Sequence, residues 1–101
     1  MLTKRFFKTK DEVEVTFEYP GENATEVALL CEAKNWEPIP MKKAKRAGSP
    51  FRVKVRLPKD GEFQFRYLLD GGRWDNDWAA DAYRANAHGD DNSIVRTFSE
   101  S

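Results

Sequence analysis

Residues 61–74 read GEFQFRYLLDGGRW. Phe63, Phe65, Tyr67 and Leu69 fall on one parity of this stretch, with Gln64, Arg66 and Leu68 on the other. A period of two puts successive side chains on opposite faces of a strand. Glu62–Asp70 is therefore predicted as a strand with a largely aromatic inner face. Asp70-Gly71-Gly72 follows with tight-turn chemistry and leads to Trp74.

The same alternation recurs on both sides. In Glu12–Tyr19, Val13, Val15, Phe17 and Tyr19 alternate with Glu12, Glu14, Thr16 and Glu18, and Pro20-Gly21 closes the strand. Phe51–Leu57 sets Phe51, Val53, Val55 and Leu57 against Arg52, Lys54 and Arg56. Glu26–Glu32 is a nearly continuous apolar run, which suits a central strand covered on both faces. Met41–Lys45 is a candidate short edge strand whose lysines discourage further pairing. Ser93–Phe98 is the last predicted strand, and residues 99–101 read as a polar tail. Asp75–Asp91 is irregular and polar, a long loop of the kind that often carries function. Six or seven short antiparallel strands with turns between them predict one all-β sandwich domain over residues 1–101.

The chain's 101 residues suit one core without a deep enclosed active site. Seventeen basic residues balance 17 acidic ones, which argues against a nonspecific grip on nucleic acid. The basic runs Lys4–Lys10 and Lys42–Arg46 read as solvated surface. The N-terminal MLTKRFFKTK lacks a signal peptide's apolar core and cleavage site, and no stretch reaches the length of a membrane span. A cytoplasmic protein without membrane attachment is the expectation.

Catalytic patterns are sparse. The single cysteine, Cys31, lies in an apolar run, and the single histidine, His88, is far along the chain. One of each cannot fill a zinc site, and no cofactor motif is present. Asp75, Asn76, Asp77 and Asp81 carry a faint calcium-like spacing, but loop capping accounts for them more simply. No carboxylate pair marks a glycosidase, so no catalytic residue is assigned. The tryptophans are more informative. Trp36, Trp74 and Trp78 all sit in loops or at strand ends, off the core positions. An indole exposed there can stack on a sugar ring, or can close an open end of the sandwich. Trp78, followed by Ala79-Ala80, suits the structural role. Arg66 on the outward face, Asn35 beside Trp36 and Asn92 at the last strand are polar neighbours.

Three stretches in order, VALLCEAKNWEPIPMKK, FRVKVRLPKDGEFQFRYLLDGGRW and DDNSIV, resemble carbohydrate-binding module family 48. The family includes the glycogen-binding domain of the AMP-activated protein kinase β subunit and the early-set domains of isoamylases and branching enzymes. The resemblance covers residues 12–97 and implies an immunoglobulin-like early-set sandwich. It implies binding of α-1,4-linked glucans such as glycogen, starch amylose or a maltooligosaccharide. Trp36 and Trp74 would form the sugar platform, and Arg66 and Asn92 would contact hydroxyls. Asn35 precedes the first platform residue, and His88 stands about where kinase-type modules insert an apolar side chain into the glucan. A glycogen-metabolism enzyme or regulatory protein is the implied partner. Where the family commonly has Gly-x-Phe-Asn-x-Trp, this chain has Cys31-Glu32-Ala33-Lys34-Asn35-Trp36, and an extra residue sits in the turn before Trp74. A module that keeps the sandwich but docks a protein instead is the second reading.

Overall fold

The computed structural model describes residues 1–98 apart from Asn23 and His88. The predicted tail, 99–101, lies outside the described residues. The described residues form ten strands: β1 (Leu2–Phe6), β2 (Glu12–Tyr19), β3 (Val27–Cys31), β4 (Ile39–Pro40), β5 (Lys42–Lys43), β6 (Phe51–Pro58), β7 (Glu62–Leu69), β8 (Arg73–Asp75), β9 (Ala82–Ala85) and β10 (Asp91–Arg96). They form two antiparallel sheets, ordered β1-β2-β6-β5 and β4-β3-β7-β10-β9, with β8 also paired to β7. No helix among the described residues is long and apolar enough to cross a membrane.

The alternation read from the sequence is what closes the sandwich. The inward parity of β2 is fully or almost fully buried, as are Phe65, Tyr67 and Leu69 of β7. Phe17 meets Phe65 edge-on at 5.0 Å between ring centroids, and Tyr19 meets Tyr67 at 5.1 Å. Such pairs add to simple burial because a ring edge is positive and a ring face negative. Tyr67 donates its hydroxyl to Asp77 Oδ2 at 2.9 Å, and Asp77 Oδ1 accepts the Ala79 N–H at 2.9 Å. The α-amino group of Met1 also pairs with Asp77 Oδ2. Burial, then the Asp77 carboxylate, push the Tyr67 phenol far above its ordinary range.

Four elements go beyond the predicted count. Strand β1 pairs with β2 from Leu2↔Phe17 to Phe6↔Val13, so Lys4 and Arg5 of the first basic run lie in a sheet. Its Lys4 extends to Asp81 Oδ2 at 2.5 Å, an ion pair joining the two sheets. The long loop predicted over Asp75–Asp91 is interrupted by β9, which pairs with β10. Strand β8 returns from the Asp70–Gly72 turn, where Asp70 and Gly71 hold left-handed φ of 51° and 71°. The Asp70 carboxylate accepts the N–H groups of Thr25 and Glu26 at 2.8 and 2.9 Å and pairs with Arg73. The two backbone bonds, then Arg73, hold this carboxyl below its ordinary range. The fourth addition, β4, pairs with β3 at two positions.

Trp78 does not close an end of the sandwich. It is 77% exposed, because the Asp77 turn takes the inward position and directs Trp78 into solvent. The acidic spacing around it is consumed by structure. Asp75 Oδ2 accepts the Tyr19 hydroxyl, and Asp81 Oδ2 accepts the Arg96 N–H at 2.7 Å. No metal-holding group of three or more His, Cys, Asp or Glu occurs among the described residues.

Candidate functional site

The outward face of the second sheet carries the site. The pairing Leu30↔Arg66 aligns these two side chains on that face, and Leu68↔Trp74 sets the indole beside the same strand. Asn92 lies on β10 in the same outward parity, two residues before Ile94, which pairs with Gln64. Alternation therefore brings an apolar, a cationic and an amide side chain to one floor.

The walls come from three turns. Strand β3 ends in a 3₁₀ turn, Glu32–Lys34, and the chain then takes two consecutive left-handed residues, Asn35 and Trp36, both at φ 59°. Asparagine tolerates this region; a bulky indole residue there is a true outlier, with a cost of about 1–3 kcal/mol. The turn is held by the Trp36 N–H donating to Cys31 O at 3.0 Å and by Glu32 Oε1 accepting the Gln64 N–H at 3.0 Å. Strand β8 supplies Trp74. The β9–β10 connection supplies Asn86 and Asp90, joined by backbone and side-chain bonds of 2.8 and 3.2 Å.

The result is an open groove of about 570 Å³ lined by Leu30, Trp36, Arg66, Trp74, Asn86, Asp90 and Asn92. Trp36 is 39% and Trp74 50% exposed. The Arg66 guanidinium lies over the Trp74 ring, 5.4 Å from its centroid, in a cation–π contact. Arg66 Nε is buried and has no hydrogen-bond partner. Asn92 donates to Gln64 Oε1 at 2.8 Å and accepts from Asn86 Nδ2 at 3.2 Å, which fixes its orientation.

Neither a scan against protein-family models nor a search of curated proteins gives a match for this chain. The site therefore rests on its own geometry. Trp36, Trp74, Arg66 and Asn92, far apart in sequence, line one groove. Asn35 does not line it; the residue is exposed, and its visible role is the left-handed backbone that ends the 3₁₀ turn. His88 lies outside the described residues. Sequence reasoning missed Leu30, Asn86 and Asp90. Leu30 was hidden in an apolar run that gives no parity, and Asp90 among several carboxylates of one loop.

Chemically, the groove offers two partly exposed aromatic plates, a cation, oriented amides and one lining carboxylate. Flat apolar faces beside donors and acceptors suit a ring with apolar faces and a hydroxylated rim.

Proposed function

We propose that this chain is a non-catalytic binding module for α-1,4-linked glucans of the glycogen or starch type, with an immunoglobulin-like early-set topology. The observation that carries the proposal is the meeting of Trp36, Trp74, Arg66 and Asn92 around one groove. Trp36 and Trp74 stack on sugar rings, the Arg66 guanidinium donates to a hydroxyl, and Asn92 contributes an amide. Covering about 80 Å² of each indole is worth about 2 kcal/mol, enough together for weak to moderate affinity once association costs are met.

Asp90 is the single carboxylate among the lining residues, whereas glycoside hydrolysis ordinarily uses two across the scissile bond. This favours binding over cleavage. Co-sedimentation with insoluble amylose tests the proposal. The parent chain should partition to the pellet and be released by soluble maltooligosaccharide. Equal retention of a variant carrying Trp36→Ala and Trp74→Ala would show that the groove is not the site.

A further inference from the structure

The opposite sheet carries a second surface, with different chemistry. Between Pro38 and Lys59 lie eight of the 17 basic residues and none of the 17 acidic ones. The rest of the chain thus holds nine basic against 17 acidic residues, and the neutral total conceals a strongly polarised molecule. This basic segment comprises β5, β6 and the turn between them, at one margin of the first sheet.

Neighbouring acids neutralise only part of it. Arg52 pairs with Glu18 at 2.8 Å, and Arg56 pairs with Glu14 and Glu12 at 3.4 and 3.8 Å. Lys54 stands opposite Thr16, and Lys42 stands directly opposite Arg52, a like-charge pair of the kind that destabilises a sheet. Among the described residues no carboxylate is in ion-pair distance of Lys42, Lys45, Arg46 or Lys54. Lys42, Arg52 and Lys54 line one open cleft of about 360 Å³ together with Ala44, Ser49, Pro50 and Val53, and no acid among the described residues lines it.

The backbone beside that cleft is also incomplete. Strand β5 pairs with β6 only at Lys42↔Arg52 and Lys43↔Phe51. From Val53 onward β6 has β2 on one flank and, among the described residues, no strand on the other. An unpaired flank is a template for strand addition, and lysines along it disfavour apolar or basic strands. A second copy of β6 would bring Arg52, Lys54 and Arg56 against their own kind. An acidic strand would instead set carboxylates beside Lys54 and Arg56.

We infer that the free flank of β6 and the adjoining basic cleft bind an extended acidic peptide segment of a partner protein by strand addition. Alternate acidic side chains would lie on the outer face beside Lys54 and Arg56, with the end of the segment reaching Lys42 in the adjoining cleft, while the peptide backbone pairs with β6 from Val53 onward. This surface is separate from the tryptophan groove and does not depend on its ligand.

The test uses the whole chain and a fluorescent peptide alternating glutamate and valine, read by anisotropy. Controls are the same peptide with N-methylated backbone amides and a single-stranded oligonucleotide. Binding of the plain peptide should weaken about tenfold when Lys42 and Lys54 are both changed to Glu, and on raising salt from about 0.05 to 0.5 M. N-methylation should abolish it. Circular dichroism of the double variant establishes that it is folded, and the single Lys54→Gln variant gives an intermediate reading if it is not. Equal binding of the N-methylated peptide would overturn strand addition. Tighter binding of the oligonucleotide would overturn the peptide assignment, and no binding of any probe would leave the lysines as edge protection only.

Discussion

Replacing Arg66 by Met should move stability and sugar affinity in opposite directions. In the free protein Arg66 Nε is buried without an acceptor, which costs about 1–3 kcal/mol. Its contact with Trp74 returns about 0.5–1 kcal/mol. Methionine matches the aliphatic stem, removes the orphaned donor and rests against Leu30, its cross-strand neighbour. The balance is a gain of about 1 kcal/mol, or a rise in Tm of about 4–8 °C for a domain of this size. The same substitution deletes a charge-assisted hydrogen bond to a bound hydroxyl, worth about 1.5–3 kcal/mol, so glucan affinity should fall about 10- to 150-fold. Differential scanning calorimetry and calorimetric titration with a maltooligosaccharide measure the two effects. A variant that melts lower and binds sugar as tightly as the parent would refute the reasoning and make Arg66 a structural residue.

Three further outcomes follow from the fold. Tyr67→Phe removes a buried donor to the Asp77 carboxylate and should cost about 1.5–3 kcal/mol in chemical denaturation, with glucan binding unchanged because Tyr67 faces the core. Asp70 is held below the ordinary carboxylate value of 3.8, so its contribution is complete above that pH and is lost as pH falls through the lower, folded value. Asp70→Asn tolerates the left-handed backbone, and its stability difference from the parent should therefore shrink as thermal melts are taken from neutral to strongly acidic pH. Cys31 is fully buried, and desolvation raises its thiol pKa. It should resist a thiol-reactive dye in the native state and react completely in denaturant, whereas rapid native labelling would contradict its placement in the core.

The sandwich was legible wherever one parity is apolar and the other polar. Phe63, Phe65, Tyr67 and Leu69 announced β7, and Val13 to Tyr19 announced β2 with the same bounds the structure gives. The strands that were missed lack that contrast. In β9 only Ala82 is partly covered, and Tyr83, Arg84 and Ala85 face solvent, so no apolar alternation marks it. Strand β1 hides behind a basic run because one of its inward residues, Lys4, is a cation neutralised from the other sheet. The groove was partly legible. Tryptophans displaced from core parity and an outward Arg66 pointed to it, because unburied aromatic area is unusual in a strand-rich chain. Asn86 and Asp90 were not, because their place depends on the turn between the edge strand β9 and its neighbour β10. Asn35, expected beside the first platform residue, supplies the left-handed backbone that ends the 3₁₀ turn.

The central claim is that the groove between Trp36 and Trp74 holds a glucan. Titrating the chain with a linear maltooligosaccharide while following tryptophan fluorescence tests it most directly, with Trp36→Ala and Trp74→Ala measured singly and together. The account predicts a saturable change in the parent, nearly constant affinity between about 0.05 and 0.5 M salt because the ligand is neutral, and about 30-fold weakening for each single substitution from the loss of about 2 kcal/mol of stacking. A parent chain that shows no saturable change with the sugar, or a double variant that binds it as tightly as the parent, would contradict the claim.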